Sequence, residues 1–329
     1  MTARIVTVFG ATGTQGTAIV VPILGSRVSP FPIGSSVVKA LLADGTFTPR
    51  AVTRDANSEK ALKLKQLGVE VVQGDVWDVA SLKNAMNGAE AVFGVTAFWD
   101  PTNFPQGPTS EVVMGKNLVD AAIAANVKFF IWSSLPHCTR VSNGKYRQVY
   151  HFDNKADVEE YLQDSQLPHA NLHTGASISI PFERTFEYLC RMSDSSSYEL
   201  TIPKYDPDSP QYFSWIERDL GQCVLALLKH YKNDSPQILG ETFYAVSDKM
   251  TYTDYVNEIE KVVGKPVRFV TGAATGMEVS EVYPLCYEFQ SKFGLYPHAT
   301  IPDPRLERLG VKFHSNKEFA EEELKKRYA

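Results

Sequence analysis

The stretch VFGATGTQGTAIVVPILGSRVSPFPIGSSVVKALLADG, from Val8 to Gly45, decides the fold of this chain. It begins with a short β-branched run and ends with apolar residues at helical spacing, closed by a glycine. Three glycines, Gly10, Gly13 and Gly16, follow the first predicted strand as G-x-x-G-x-x-G. Glycines there permit a tight turn and close approach of a pyrophosphate, which the N–H groups of the following helix would bind. The pattern predicts a dinucleotide site, and its alternative is an ordinary glycine-rich turn.

The first half of the chain alternates strand and helix patterns, from RIVTVFG through SSVVKALLADG to the late run VKFFIWSSL. This order predicts an α/β fold of Rossmann type, with a parallel sheet wrapped by helices and ligands at the carboxyl ends of the strands. The second half is less regular. Helices are predicted at NKADVEEYLQDS, ERDLGQCVLALLKHY and YTDYVNEIEKVVG, a strand at GKPVRFVTG, and cleft-lining loops at SDSSSYELTIPKYDPDSPQY and SKFGLYPHATIPDP. We expect a Rossmann domain over residues 1–175 and a smaller lobe over 176–329, with segments returning to the sheet.

Composition excludes several classes of protein. The chain has 329 residues, 43% hydrophobic and 22% charged, with a net charge of -5, so a basic surface for direct nucleic-acid binding is not expected. No run reaches the length of a membrane span, and the opening MTARIVTVFG is too short for a signal peptide. The four cysteines have no metal-ligand spacing, which predicts buried thiols, no metal site and a cytoplasmic protein, with the nucleus as an alternative.

Two predicted strand ends carry charged residues. The second strand ends in AVTRD, without the acidic residue that holds the ribose of NAD, and Arg54 suits the 2′-phosphate of NADP instead. A solvated surface arginine is the alternative. The third strand ends in VVQGDVWD, where Asp75 could hydrogen-bond an adenine amino group or cap the next helix.

The segment VYHFDNKADVEEYL holds the candidate catalytic residues. Short-chain reductases carry Tyr-x-x-x-Lys on one helical face, where the lysine holds the nicotinamide ribose and the tyrosine donates a proton. Lys155 has His151 at the tyrosine position, and Tyr150 is out of register by one residue. Histidine can act as an acid, but the nearby lysine charge opposes formation of the imidazolium.

The combination of VFGATGTQG, VTRD, VVQGD and HFDNKADVEEYL resembles the NmrA-like family of atypical short-chain dehydrogenases, over nearly the whole chain. The resemblance is strongest to the branch that includes NADPH-sensing regulators. It implies a Rossmann domain that binds NADP(H), a smaller C-terminal lobe and regulation through a protein partner. It also implies a set of cofactor contacts: Gly10, Thr12, Gly13, Thr14, Gln15, Gly16, Thr53, Arg54, Asp75, Val76, Thr96, Ala97, Phe98 and Lys155. A further family contact has its nearest match at Phe182 to Arg184, where the chain departs from the usual form.

Two function classes therefore remain open, beside a third alternative, an inactive isoform that folds but binds no cofactor. The first is a redox-sensing regulator that couples NADP(H) occupancy to a conformation or a partner. The second is an NADPH-dependent oxidoreductase that acts on a small carbonyl or quinone. Histidine in place of the tyrosine favours the sensor.

The segment from Thr17 to Gly34 departs from the family pattern, in which GATGTQG runs directly into SSVVKALLADG. Its prolines exclude a single helix. In one hypothesis it loops over the cofactor cleft, and the helix restarts at Ser35 or Ser36. In the other it is a retained intron in the gene model, because removing these 18 residues restores the motif. Either Gly16 or Gly34 could then be the third glycine of the motif, and a real loop would weaken NADP(H) binding.

Overall fold

The computed structural model describes residues 3–12, 33–98, 107–179, 189–191, 196–272 and 282–325. Within these ranges the strands are β1 (Ile5–Val8), β2 (Thr48–Thr53), β3 (Glu70–Gln73), β4 (Ala91–Gly94), β5 (Phe129–Ser134), β6 (His169–Thr174), β7 (Ala176–Ser177), β8 (Leu189–Arg191), β9 (Tyr198–Ile202), β10 (Pro210–Ser214), β11 (Thr242–Ala245), β12 (Asp248–Thr251) and β13 (Val267–Thr271). The α-helices are α1 (Ile33–Asp44), α2 (Glu59–Gln66), α3 (Val79–Met86), α4 (Ser110–Ala124), α5 (Cys138–Val141), α6 (Tyr150–Asp164), α7 (Gly221–His230), α8 (Ser235–Ile238), α9 (Tyr252–Val263), α10 (Val282–Phe293), α11 (Pro304–Arg308) and α12 (Asn316–Phe319). Two π-helical turns, Ile216–Leu220 and Ala320–Leu324, precede α7 and follow α12.

The main sheet has the strand order β3-β2-β1-β4-β5-β6-β11, and every neighbouring pair is parallel. The predicted Rossmann-type parallel sheet is confirmed. Strand β1 lies between β2 and β4, with Val6 opposite Pro49 on one side and Ala91 on the other. The strand order reverses there, so the carboxyl ends of β1, β2 and β4 form the edge where such sheets bind ligands.

Helix α1 begins earlier than Ser35 or Ser36, the two starting positions predicted for it. It starts at Ile33, so Ser35 and Ser36 lie inside the helix and do not cap it. The physical reason is Gly34, which has no side chain and allows the first turn to lie directly on the backbone after β1. The predicted end is confirmed, since Gly45 has a φ of 73° and its N–H donates to Leu41 O.

The second half of the chain contributes to both the main sheet and a smaller lobe. Strand β11 pairs with β6 in the main sheet, while β12-β10-β7 and β13-β9-β8 form two three-stranded sheets. The stretch from Ser193 to Tyr212, predicted to be loop, contains β9 and part of β10 where it is described. The error has a local cause, because turn residues surround YELTI, whose Tyr198, Leu200 and Ile202 pack into an aromatic core.

Apolar side chains form three buried clusters. The largest lies on both sides of the main sheet, the second fills the smaller lobe, and the third lies around Tyr146 and Phe289. Three of the four cysteines, Cys138, Cys223 and Cys286, are buried thiols. In the part of the chain that is described, no helix has the length and apolar character needed to cross a membrane.

Candidate cofactor site

The turn after β1 has no room for side chains at two glycines. Gly10 has a φ of 71°, and a Cβ there would lie 2.8 Å from Val95 Cγ1. A Cβ on Gly34 would lie 2.3 Å from Phe9 O and 2.6 Å from Ala11 N. Helix α1 therefore starts in direct contact with the turn, as phosphate-binding turns require. Of the two glycines considered for the third position, Gly34 lies against this turn at the start of α1, and Gly16 lies outside the described residues.

The ends of β1 and β2 meet through two hydroxyl groups that the family pattern assigns to cofactor. Thr12 Oγ1 donates to Thr53 Oγ1 at 3.2 Å. Arg54 follows Thr53 directly and is exposed at the same edge of the sheet. The predicted contacts at Gly13, Thr14, Gln15 and Gly16 lie outside the described residues, as do Phe182 to Arg184.

Asp75 follows β3 on the same edge and is exposed. Its Oδ1 accepts a hydrogen bond from Trp77 N at 3.0 Å. The alternative that Asp75 caps the next helix is wrong, because Asp78 is the N-cap of α3 and accepts from Ala80 N and Ser81 N. The adenine contact of Asp75 stays a prediction. Val76, half-buried beside it, accepts from Asn117 Nδ2 of α4 at 2.9 Å.

Lys155 lies in a buried polar cluster at the carboxyl end of β4. Its Nζ donates to Thr96 O at 3.0 Å, to Thr96 Oγ1 at 3.1 Å and to Glu111 Oε1 at 2.6 Å. Thr96 Oγ1 also donates to Glu111 Oε1 at 2.6 Å. The backbone holds α6 in place, since Lys155 O accepts from Trp132 Nε1 of β5 at 3.0 Å. The cluster thus joins β4, α4, β5 and α6.

Glu111 is the site residue that the sequence analysis missed. It lies in the first turn of α4 and is only 1% exposed. A signal for it was available, because Glu111, Met114, Gly115 and Leu118 follow helical spacing on one buried face. A carboxylate on such a face is buried only when a partner compensates its charge, and here the partner is Lys155.

His151 lies one helical turn before Lys155 on the same face of α6 and is buried. Burial, together with the positive charge of Lys155, lowers the pKa of His151 to about 3. The imidazole is therefore neutral at physiological pH. Its ring lies 5.6 Å from the ring of Phe98, between centroids, and 4.8 Å from that of Phe152.

The three residues predicted to pass beside the cofactor after β4 lie next to α6. Thr96 and Phe98 are buried and Ala97 is half-buried. Thr96 contacts Lys155 and Phe98 contacts His151. The structure thus places Thr96, Phe98, His151 and Lys155 together, while Thr12, Thr53 and Gly34 meet at the end of β1.

A second polar pair lies one turn further along α6. Glu159 Oε2 is 2.8 Å from His173 Nε2, and Glu159 Oε1 accepts from Thr242 Oγ1 at 3.1 Å. Hydrogen bonds and the charge of His173 lower the pKa of Glu159 despite its burial. The pair ties α6 to β6 and β11, and it was not predicted.

A sequence profile of the NmrA-like family matches residues 32–297. An NmrA-like family domain-containing oxidoreductase of Penicillium ochrochloron, ptmS, is 36% identical over 291 residues, which cover 82% of this chain and 76% of that protein. The oxidoreductase notA of an Aspergillus species (strain MF297-2) is 28% identical over 278 residues, covering 81% and 75%.

Solved structures share the fold. The transcriptional regulator NmrA in complex with NADP superimposes with a TM-score of 0.75 at 20% identity, covering all of this chain and 97% of NmrA. The NADPH complex of the quinone oxidoreductase QOR2 of Escherichia coli has a TM-score of 0.67 at 18% identity, covering 96% and 98%. From the profile match and the identity to its relatives, the chain belongs to the NmrA-like family.

Proposed function

We propose that this protein binds NADP(H) and acts as a redox-sensing regulator, reporting occupancy of the site through a conformation or a protein partner. The cradle at Gly10 and Gly34 fits a pyrophosphate, because a Cβ at Gly34 would meet backbone atoms. Solved structures of the same fold include complexes with NAD, NADP and NADPH. The remaining contacts that we propose for the cofactor are those of the family pattern, from Thr12 to Lys155.

Selection of the phosphorylated coenzyme is assigned to the end of β2. Arg54 is exposed beside Thr53, the last residue of β2, and the first acidic residue, Asp55, comes only after it. We expect Arg54→Gln to weaken NADPH binding at least tenfold and NADH binding little, because a phosphate pairs with arginine and a ribose hydroxyl does not. Isothermal titration with both coenzymes measures this preference.

The observation that supports the sensor role is the protonation state of His151. A proton donor for carbonyl reduction needs a pKa near the working pH, and His151 has a pKa of about 3. The nicotinamide, when bound, supplies a hydride, but an imidazole held neutral by burial is a poor source of the accompanying proton. This arrangement supports the proposal of binding without turnover.

The alternative is an NADPH-dependent oxidoreductase that acts on a small carbonyl or quinone. It is favoured by the relatives, since proteins of 28% and 36% identity are named oxidoreductases. In that case the substrate would have to take its proton from a group other than His151.

NADPH consumption against a panel of carbonyls and quinones separates the two functions. The sensor predicts tight NADPH binding by titration and no turnover above the rate without protein. Turnover that depends on the protein would establish the oxidoreductase and overturn the sensor, and its loss or survival in His151→Phe would show whether the proton comes from His151. A protein that binds neither NADPH nor NADP⁺ would contradict both functions.

We place the protein in the cytoplasm or nucleus, which imaging of the tagged chain tests.

A further inference from the structure

Lys155 is a buried cation whose hydrogen-bond donors are all in use. Its side chain is 10% exposed, and its Nζ donates to Thr96 O at 3.0 Å, to Thr96 Oγ1 at 3.1 Å and to Glu111 Oε1 at 2.6 Å. An ammonium group has three N–H donors, so this set uses every one of them. A contact between Lys155 and a ribose hydroxyl therefore requires the exchange of one of these bonds.

The three bonds differ in strength, and the weakest is the one to exchange. The bond to Glu111 is the shortest and joins two opposite charges, which makes it the strongest. The bond to Thr96 Oγ1 is the longest, and this hydroxyl keeps its own bond to Glu111 Oε1 when the lysine leaves it. Lys155 can thus turn one N–H towards a ligand while Glu111 still holds the ammonium.

The charge of Lys155 also depends on Glu111. Within the described part of the chain, Glu111 is the one acidic side chain that forms an ion pair with Lys155, and it is 1% exposed. From β4 the ammonium is faced by the uncharged Thr96, and on α6 by His151, which its pKa of about 3 keeps neutral. A buried ammonium without a counter-ion tends to lose its proton.

We propose that Glu111 is a positioning residue of the cofactor site, which keeps the ammonium of Lys155 charged and in place for contact with the nicotinamide ribose. The cluster lies after β4, the direct neighbour of β1, and a dinucleotide with its phosphates at the glycine turn crosses this edge of the sheet. Glu111 acts through Lys155 and makes no contact with the ligand. This inference rests on the proposed binding of NADP(H), with Lys155 among its contacts, and adds the residue that controls that lysine.

The pH dependence of binding separates this role from a merely structural one. NADPH is titrated calorimetrically against the parent and against Glu111→Gln at about pH 6.5 and about pH 9. Glu111→Gln nearly keeps the shape of the side chain but removes its charge, so Lys155 should lose its proton as the pH rises. The ratio of the variant's Kd to the parent's should then grow about tenfold or more between the two pH values. For adenosine 2′,5′-bisphosphate, which lacks the second ribose, the ratio should stay near one.

Three further variants serve as controls. Asp120→Asn removes an exposed carboxylate from the same helix and should bind both ligands as the parent does. The double substitution Glu111→Leu with Lys155→Met removes the amine as well, at nearly constant volume, so it should weaken NADPH by a factor that does not change with pH. Glu111→Asp keeps the charge but withdraws it by one methylene, so it should weaken NADPH several-fold, equally at both pH values.

The outcomes distinguish this role from the proposed function. A ratio for Glu111→Gln that is the same at both pH values would overturn the role of Glu111, as would an equal weakening of the bisphosphate. If Glu111→Gln does not fold, the other two variants at the site decide, and NADPH affinity equal to that of the parent in either one would overturn it. A parent that binds neither ligand would contradict the proposed function itself.

Discussion

At the scale of single residues, the buried charges of Glu111 and Lys155 dominate the energetics of the site. Their side chains are 1% and 10% exposed, and the two charged atoms lie 2.6 Å apart. Taking both charges out of water is costly, and their attraction and the bonds to Thr96 offset that cost. The pair therefore tolerates the loss of both members better than the loss of one.

The first prediction tests this asymmetry. Lys155→Met leaves the carboxylate of Glu111 buried without a counter-ion, and we expect the free energy of unfolding to fall by about 3–5 kcal/mol. Adding Glu111→Leu should restore most of it. Urea unfolding measures both, with the exposed Lys83→Met as control. A single variant as stable as the parent would contradict the prediction.

The second prediction concerns His151 and acid. Its pKa is about 3 in the folded protein and about 6.5 in an unfolded chain, so the unfolded state binds the proton first. Stability from the neutral imidazole is complete above pH 6.5 and is lost as the pH falls towards 3. When the pH is lowered from 7 to 5, protonation of His151 in the unfolded chain should reduce the free energy of unfolding by about 2 kcal/mol.

The measurement is the difference in unfolding free energy between the parent and His151→Phe at the two pH values. That difference cancels the groups that titrate alike in both proteins. The exposed His298→Phe serves as the control variant. If the difference in unfolding free energy between the parent and His151→Phe does not change with pH, His151 takes up its proton as readily in the folded protein as in the unfolded chain.

At the scale of elements, the close crossing of α4 and α6 brings Glu111 and Lys155 together. A Cβ on Gly115 would lie 2.3 Å from Val158 Cγ2. Gly115 lies one turn after Glu111, and Val158 lies one turn after Lys155. The side-chain distance in the polar cluster therefore depends on how closely these two helices approach.

The third prediction follows from that contact. Gly115→Ala should push α4 and α6 apart, lower the free energy of unfolding by about 1–3 kcal/mol and weaken NADPH binding. Val158→Ala on the facing helix removes the obstructing methyl groups and should rescue the double variant. A double-mutant cycle by urea unfolding gives the coupling. Additive effects would show that the two helices do not constrain each other.

At the scale of the whole molecule, the second half of the chain completes the first. Strand β11 extends the main sheet beside β6, and Gly221 at the start of α7 packs so closely on α1 that a Cβ would lie 2.3 Å from Ser36 O. Lys229 of α7 also pairs with Asp44 at the end of α1. Helix α1, whose first two residues belong to the segment Thr17 to Gly34, is thus held in place by α7 from the second half of the chain.

The fourth prediction concerns that segment. Deletion of Thr17 to Gly34 joins Gly16 to Ser35, so a glycine again precedes the helix at the position of Gly34. We expect the shortened protein to keep its fold and to bind NADPH more tightly than the full chain, because no loop competes beside the phosphates. Titration of both proteins measures the difference, and equal affinities would rule the effect out.

A control and a transcript test complete this experiment. Gly16→Ala in the shortened protein should cost as much stability as Gly34→Ala in the full chain, if Gly16 takes the position at which a Cβ on Gly34 would meet backbone atoms. Sequencing of the messenger RNA decides the origin of the segment. If every transcript encodes Thr17 to Gly34, a retained intron is excluded.

The sequence by itself was sufficient for the sheet, most helices and the glycine turn. These features are local: a β-branched run, a 3.6-residue apolar spacing and a glycine at a tight turn each act over a few residues. Local patterns did not suffice for β9 and β10, where turn residues surround strands that only packing stabilises. They also placed the start of α1 two or three residues late, since the backbone contact at Gly34 is made with a turn more than twenty residues earlier.

Only the tertiary structure decided the chemistry around Lys155. Its donors are taken by Thr96 and Glu111, which are 59 and 44 positions away along the chain. The low pKa of His151 likewise comes from burial, which no single segment of the sequence produces by itself. Charges and hydrogen bonds depend on what surrounds a group in space, and the fold brings those surroundings together from distant parts of the sequence.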